Sequence, residues 1–365
     1  MSVGQIALLS RPPRDRHQGV CRIAPLRKTF RALCLLLAWA YLIGLGGWFV
    51  GSRLLGDRWW WLFFLNALAL YLFVPLVPLA IIIPWLRQRR LWLGLVAGIG
   101  VGLYLFGGLW LPRPMAAQST GPVVTVMTFN TLGFNKCPEC VVASVRASGA
   151  DLVNFQELSR PVAAALARDL ARDYPYQVLK PTAQTQGMGV ISRFPLRDTG
   201  ETLPGPWIGQ PQVLALTLGE TRVVVVNAHP TATLPNPIVE IDRTRRERFV
   251  QAQTLVAFAQ THPGPLIFAS DCNMTDQNAD YRLMTTIWHD SWREAGVGLG
   301  RTFPGGDQGG EGNMRFGALT LPRWLVRIDY VWHSSHWRAT EARLGQWDEH
   351  SDHRPTIARL VLVNP

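Results

Sequence analysis

The sequence predicts a layered α/β domain that follows three membrane-spanning helices. Three long apolar stretches without internal charge lie between residues 32 and 110, and from Val123 onward short apolar, β-branched runs alternate with helix-like segments. Such alternation is typical of sheets covered by helices. The composition changes near Pro114, so the 365 residues divide into a membrane part and a soluble domain.

Each apolar stretch is long enough to cross a hydrocarbon core of about 30 Å as a helix. A cleaved signal peptide would contain one short apolar region, so three successive stretches predict permanent spans. The stretches cover residues 32–50, 59–85 and 91–110. The predicted organisation is a basic cytoplasmic arm at 1–31, three transmembrane helices within 32–111, a linker at 112–122 and a catalytic domain at 123–365.

The positions of arginine and lysine predict the orientation, because short cytoplasmic segments carry an excess of both. Seven of them lie between Arg11 and Arg31, and Arg87, Arg89 and Arg90 fill the loop between the second and third stretches. Three spans then send the rest of the chain to the other side. We therefore predict a multi-pass protein of the plasma (inner) membrane with a cytoplasmic N-terminus and an extracytoplasmic catalytic domain.

The net charge of +11 by itself suggests a nucleic-acid partner, but this charge is distributed unevenly along the chain. Residues 1–114 contain 13 of the 36 basic residues and two of the 25 acidic ones. The rest of the chain therefore carries 23 basic and 23 acidic residues, a formal charge of zero. The basic excess belongs to the membrane part, where it sets orientation.

The cysteines exclude a disulfide-built scaffold, since five in 365 residues are too few. Cys137 and Cys140 form a single CxxC, and no second pair or matching His pair completes a tetrahedral zinc site. Outside the cytoplasm the two could form a local disulfide or remain free thiols, and the sequence leaves both open. Cys272 is expected to be a buried packing residue.

Polar residues collect at the C-terminal ends of the apolar runs of the soluble domain. Open α/β sheets place their chemistry at the carboxyl ends of strands, so these residues are the candidates for a site. Singly, each could cap a turn or a helix. The apolar runs cover 123–129, 152–155, 189–191, 213–218, 223–227, 266–269 and 328–332, with helix-like segments at 160–173 and 244–260. The polar candidates are Asn130, Glu157, His229, Asp271, Asn273, Asp329, Asp352 and His353.

The sequences of these segments and their order resemble those of the endonuclease/exonuclease/phosphatase superfamily, which includes DNase I, inositol phosphatases and bacterial sphingomyelinases. The resemblance rests on FNTLGFN, NFQE, GMGVISRFP, NAHP, SDCN, RIDYVW and SDHRP, in that order over about 240 residues. It implies a four-layer α/β sandwich, with two β-sheets flanked by helices, behind the three spans. In layout the chain is similar to bacterial teicoplanin-resistance membrane proteins of this superfamily.

The resemblance implies a metal-dependent hydrolase of phosphate esters. Mg²⁺, with Mn²⁺ as the alternative, suits hard oxygen ligands. The implied metal ligands are Asn130, Glu157 and Asp352, and the implied catalytic residues are His229, Asp271, Asn273, Asp329 and His353. His353, held by Asp329, would act as a general base or as a cation. Arg245 and Arg248, near the start of a helix-like segment, could bind an anionic head group or lie on a solvated helix face. Leu132 stands where the abasic-site endonucleases of this superfamily carry an acidic residue, and Ser270 stands where a glycine is usual.

The predicted substrate is a phosphorylated lipid or lipid-linked phosphate. Non-specific nucleases gain affinity from basic residues, and a neutral domain with only Lys136 and Lys180 as lysines is a poor match. Three spans also hold the site near the bilayer. Two alternatives stay open: an extracytoplasmic nuclease acting on DNA or RNA, and a non-catalytic membrane receptor or scaffold. No protein partner is predicted.

Overall fold

The computed structural model describes residues 23–111, 121–233, 238–306 and 312–363. Most of the predicted arm 1–31 and of the predicted linker 112–122 lies outside these described residues. The assignments of a cytoplasmic arm and of a linker therefore stay predictions.

The N-terminal part contains three helical stretches long and apolar enough to cross a membrane, at Arg27–Leu55, Ala69–Leu86 and Arg90–Leu109. This confirms the prediction of three such helices. Its helices are α1 (Ile23–Leu55), α2 (Trp60–Ala67), α3 (Leu76–Leu86) and α4 (Arg90–Phe106).

The second predicted stretch, 59–85, differs from the prediction of one continuous helix. The structure has the short helix α2, a 3₁₀ turn at Ala69–Phe73 and then α3. Pro75 lies immediately before α3, and a proline lacks the N–H that a continuous helix would need there. The apolar composition alone could not reveal this interruption.

The chain forms two compact units. One comprises the described residues up to Phe49 together with Phe73–Val101. The other joins Val50–Leu72 to everything described from Gly102 onward. The loop between the first two predicted spans and the beginning of the second predicted span, including α2, therefore belong to the same unit as the soluble domain. We call residues 50–72 the inter-span segment.

The soluble domain contains five further helices and fourteen strands within its described residues. The helices are α5 (Pro138–Ser148), α6 (Arg160–Asp169), α7 (Ile238–Thr261), α8 (Ala279–Met284) and α9 (Ser291–Ala295). The strands are β1 (Val123–Asn130), β2 (Leu152–Gln156), β3 (Tyr176–Lys180), β4 (Met188–Ser192), β5 (Leu196–Asp198), β6 (Gln212–Leu218), β7 (Thr221–Asn227), β8 (Leu266–Asp271), β9 (His289–Asp290), β10 (Arg315–Phe316), β11 (Leu319–Thr320), β12 (Asp329–His333), β13 (Trp337–Leu344) and β14 (Thr356–Leu362).

Two six-stranded sheets form the centre of the domain. Their strand orders are β13-β14-β1-β2-β4-β3 and β5-β6-β7-β8-β12-β9. The pairs β1–β2 and β7–β8 are parallel, and their neighbours are antiparallel. Helices α5 and α6 share a buried apolar cluster with the first sheet, as α7 and α8 do with the second. The predicted four-layer sandwich is confirmed.

A buried polar layer joins the two sheets. Asn154 of β2 donates its side-chain Nδ2 to the backbone oxygens of Val226 (3.1 Å) and Ala269 (3.0 Å) in the second sheet. Gln156 donates to Asn227 Oδ1 at 2.8 Å and accepts from the backbone N–H of Asp271 at 3.2 Å. All three amide side chains are fully buried. Hydrogen bonding offsets the cost of burying them.

Candidate active site

The ends of four strands bring the candidate residues to one edge of the sandwich. Asn130 ends β1, and Glu157 directly follows β2, which is the parallel neighbour of β1. Asp271 ends β8, and Asp329 lies opposite it in the antiparallel register of β12. Asp329 therefore begins its strand instead of following one, a correction to the sequence interpretation. It reaches the same edge because β12 runs opposite to β8.

His353, Asp329 and Asp271 form the buried centre of the site. His353 Nδ1 lies 2.9 Å from Asp329 Oδ2, and its Nε2 lies 3.6 Å from Asp271 Oδ2. Burial alone would lower the pKa of His353, but the charges of Asp329 and Asp271 raise it well above its usual range. Burial raises the pKa of Asp329. For Asp271, burial is outweighed by His353 and His229, and the pKa falls to about 2.

His229 and Asn273 lie on the other side of Asp271. His229 Nε2 is 3.3 Å from Asp271 Oδ2 and 3.1 Å from Asn273 Nδ2. The Asn273 amide also donates to the backbone oxygen of Pro230 at 3.0 Å, and its backbone N–H donates to Asp271 Oδ1 at 2.9 Å. The His229 side chain and the Asn273 backbone N–H therefore converge on the same carboxylate as His353.

Asn130 connects this group to Glu157. Its Nδ2 donates to Glu157 Oε1 at 3.1 Å and to Asp271 Oδ2 at 3.0 Å. Glu157 Oε2 accepts the backbone N–H of Gly133 at 3.0 Å. Glu157 and Asn273 both have positive φ, 54° and 52°. Non-glycine residues held in this region cost free energy and cluster at functional sites.

Several carboxylates lie close together in the site, and a bound divalent cation would offset the repulsion between their charges. Burial, with the nearby charge of Glu157, raises the pKa of Asp352 to about 6. Glu157 and Asp352 are hard oxygen donors and fit Mg²⁺ or Mn²⁺. The amide of Asn130 turns its Nδ2 toward Glu157, while its Oδ1 accepts the backbone N–H of Leu132 at 3.0 Å; exchanging the two amide atoms would present the oxygen to a metal. Asp271, Asp329 and His353 form a second group whose ligand atoms lie within 4.8 Å of one another and could hold a metal. The donors present therefore suit a divalent metal.

The two arginines predicted to bind substrate have other partners. Arg245 donates to Asp242 on the same helix at 2.9 Å. Arg248 is 1% exposed and forms an ion pair with Asp280 at 2.5 Å, while its Nη1 donates to the backbone oxygen of Asn273. A guanidinium buried in this way is not available to a head group, so the structure contradicts the prediction for Arg248. It gives no support for Arg245.

The CxxC pair forms a disulfide, which decides the question the sequence left open. Cys137 and Cys140 are bonded at the start of α5, with Cα atoms 5.2 Å apart. A ring nitrogen of His350 lies within 4.8 Å of both sulfurs. Cys272 is fully buried, as expected.

Two positioning residues of the site were missed by sequence reasoning. Ser351 Oγ donates to the backbone oxygen of Asn130 at 2.7 Å and accepts the His353 N–H at 3.0 Å. Thr302 Oγ1 accepts the backbone N–H of Ile328 at 3.1 Å, next to Asp329. Ser351 belongs to the SDHRP motif and could have been included. Thr302 stands in no motif and had no signal.

Residues 127–353 match the model of the "Endonuclease/Exonuclease/phosphatase family". The chain belongs to this family. The match spans every residue of the site described above, from Asn130 to His353. No match is found among curated proteins.

Several solved structures share the fold. Truncated TDP2 from Caenorhabditis elegans is 17% identical, with a TM-score of 0.51, covering 66% of this chain and 98% of its own. TDP2 from D. rerio, solved with a single-strand DNA product, is 14% identical, with a TM-score of 0.51 and coverages of 65% and 98%. An endonuclease/exonuclease/phosphatase from Beutenbergia cavernae is 20% identical, with a TM-score of 0.46 and coverages of 66% and 72%. At these identities the likeness to the two TDP2 structures shows the fold alone. The family match points to hydrolysis of phosphate esters.

Proposed function

We propose that the protein is a Mg²⁺-dependent phosphoesterase whose substrate is a phosphorylated lipid or lipid-linked phosphate. The observation that carries the reaction class is the convergence of His353, His229 and Asn273 on Asp271. Cationic and amide donors around one carboxylate can hold a phosphoryl group and an attacking water together, and most catalysis of phosphoryl transfer is such positioning. A non-catalytic receptor would have no need to retain this geometry.

Each residue has a proposed part in hydrolysis. Asp271 orients the attacking water, since its low pKa keeps it ionised and its oxygens face both histidines. His353, fixed through Nδ1 by Asp329, presents its Nε2 to the phosphoryl oxygens. Asn273 and His229 donate hydrogen bonds from the opposite side. These donors would neutralise the charge that grows on the phosphoryl oxygens.

Glu157, Asn130 and Asp352 are the proposed metal ligands. A bound Mg²⁺ would supply Lewis-acid stabilisation of the phosphoryl and leaving oxygens. Gly133 and Ser351 keep these ligands in place through hydrogen bonds to Glu157 and to the backbone of Asn130. We propose a structural part for Arg248 and none for Arg245.

The lipid substrate is supported by what borders the site. The inter-span segment, which joins two candidate spans, packs on loops that carry the site. Its Phe63 ring lies 5.1 Å from Cζ of Arg248, which contacts Asn273, and Tyr71 donates to the backbone oxygen of Leu325 at 2.8 Å. The two candidate spans that this segment joins would keep the site attached to the bilayer, which favours a substrate that lies there.

We also propose that the catalytic domain is extracytoplasmic. The charge pattern of the first 90 residues supports this orientation. The Cys137–Cys140 disulfide supports it independently, because disulfides persist in oxidising compartments. A reporter that is active only in the cytoplasm, fused after Pro365, should be inactive, and an active fusion would overturn the orientation.

The proposed substrate is tested with the purified full chain in detergent micelles. Mg²⁺-dependent release of phosphate or head group is measured from phosphatidic acid and phosphatidylglycerol, and cleavage is measured with single- and double-stranded DNA. The His353→Ala variant should lose turnover. The His289→Ala variant is the matched control, because His289 is half exposed and lies outside the site.

The outcomes separate the hypotheses. Lipid turnover that is lost only in His353→Ala supports the proposal. DNA cleavage that is lost in His353→Ala would instead identify nucleic acid as the substrate. Turnover of neither substrate by the wild-type chain would count against hydrolysis of both classes and favour a receptor role.

A further inference from the structure

Arg248 connects the inter-span segment to the site. Its Nε pairs with Asp280, and its Nη1 donates to the backbone oxygen of Asn273 and to Thr233 Oγ1 at 3.3 Å. Within the described residues, Nη2 is buried without a hydrogen-bond partner. The guanidinium instead lies over the ring of Phe63, which is 3% exposed. A desolvated cation over an aromatic face is stabilised by the ring quadrupole.

The backbone that Arg248 holds determines where the Asn273 amide points. Asn273 has a left-handed backbone conformation, which asparagine adopts more readily than most residues, and its backbone N–H donates to Asp271 Oδ1 at 2.9 Å. Its side chain must reach both His229 and the Pro230 oxygen. A shift of the Asn273 carbonyl would therefore move the amide away from the histidine.

Asp57 of the same segment holds the far end of this loop. Its Oδ2 accepts the backbone N–H of Ala279 at 2.8 Å and Nδ2 of Asn278 at 3.2 Å. Its Oδ1 accepts Nδ2 of Asn66 at 2.6 Å. Asp57 is 8% exposed, and Asn66 and Asn278 are fully buried. Asn278 Oδ1 in turn accepts the backbone N–H of Thr275 at 2.9 Å.

We infer that the inter-span segment is a working part of the catalytic unit, in which Phe63 and Asp57 are positioning residues that aim Asn273. Phe63 acts through Arg248 at the start of the 273–279 loop, and Asp57 acts through Asn278 at its end. Activity then requires the chain between the first two spans to be docked on the catalytic fold. The inference rests on the proposed catalytic part of Asn273.

The test uses the full chain in lipid nanodiscs and compares Phe63→Leu, Asp57→Ala and Asp57→Asn with wild type. Trp60→Leu is the control, because Trp60 is an aromatic residue of the same helix and is 41% exposed. We measure kcat and KM for bis(4-nitrophenyl) phosphate, a small soluble phosphodiester, and amide hydrogen exchange of the peptide 273–279. We expect Phe63→Leu and Asp57→Ala to lower kcat about tenfold or more with KM unchanged, because small misplacements act on the transition state.

The same two variants should exchange the 273–279 amides faster than wild type. Asp57→Asn keeps an acceptor oxygen for Ala279 and should recover most of the activity. The inference is overturned if kcat in Phe63→Leu and Asp57→Ala equals that of Trp60→Leu, whatever the exchange shows. If the wild-type chain hydrolyses no phosphodiester, the proposed function fails instead. The exchange data then decide by themselves whether the segment holds the loop.

Discussion

Replacing Asp329 with asparagine tests the centre of the site. Asp329 is fully buried, and its Oδ2 lies 2.9 Å from His353 Nδ1. For charge centres about 4 Å apart and an effective dielectric constant of about 20, Coulomb's law gives about 4 kcal/mol. That energy corresponds to about a thousandfold in rate. Asp271, 3.6 Å from the other ring nitrogen, still attracts the imidazolium. We therefore expect kcat to fall by about 100-fold to 1000-fold.

The assay is Mg²⁺-dependent hydrolysis by the folded full chain, with kcat normalised to folded protein. Asp290→Asn is the control, because Asp290 is also buried and accepts hydrogen bonds from Arg327, at 2.8 Å, away from the site. It should lower stability and leave kcat unchanged. The reasoning is refuted if Asp329→Asn retains kcat within a few-fold of wild type, or if the control loses as much.

Three further changes have defined outcomes. Arg248→Ala should lower the free energy of unfolding by about 3–5 kcal/mol, because Asp280 is left buried without its partner; denaturant titration that finds under about 1 kcal/mol would contradict this. Burial, and then the charge of Asp280, raise the pKa of Asp57 from 3.8 to about 6, so the folded chain binds more protons than the unfolded chain between these values. The free energy of unfolding of the wild type should therefore fall by up to about 3 kcal/mol relative to that of Asp57→Asn as pH rises from about 4 to 6. Parallel stability curves of the two proteins would contradict this expectation. Glu157→Gln should raise the Mg²⁺ concentration for half-maximal activity about tenfold or more, because one charged ligand is lost; Mn²⁺ binding followed by electron paramagnetic resonance should weaken equally, and unchanged binding would remove Glu157 from the metal site.

The sequence predicts most of the central strands better than the edges. β1, β2, β6 and β8 are almost wholly buried, and their mainly apolar residues give a clear pattern. The buried strand β14 is an exception, because no predicted run covers it. Strand β13 has alternating burial and charged residues on its exposed face, which obscure its pattern. The apolar pattern also assigns much of the inter-span segment to a membrane span, because apolar side chains buried against a protein look the same in sequence as those facing lipid.

The sequence also indicates which residues meet at the site. The candidates from Asn130 to His353 stand in recognisable segments, and the structure brings them together around Asp271. Their roles remain predictions. Arg248 could not be assigned correctly, because what buries it lies elsewhere in the chain: Phe63 is in the inter-span segment, and Asp280 is in α8. Only the tertiary structure distinguishes a buried arginine from one on a solvated helix face.

The amide side chains between the two sheets have a consequence for the precision of the site. Half of the candidate residues, including Asn130 and Glu157, lie in or close to strands of one sheet, and Asp271 and Asp329 lie in strands of the other. Two apolar faces could shift past each other by a fraction of an ångström at little cost in free energy. Sheets joined by buried hydrogen bonds resist such a shift, since each displaced donor would be left buried and unpaired. Gln156 bonds directly to the backbone of Asp271. This hydrogen bond fixes the spacing between the two sheets, whose residues would together bind one phosphate.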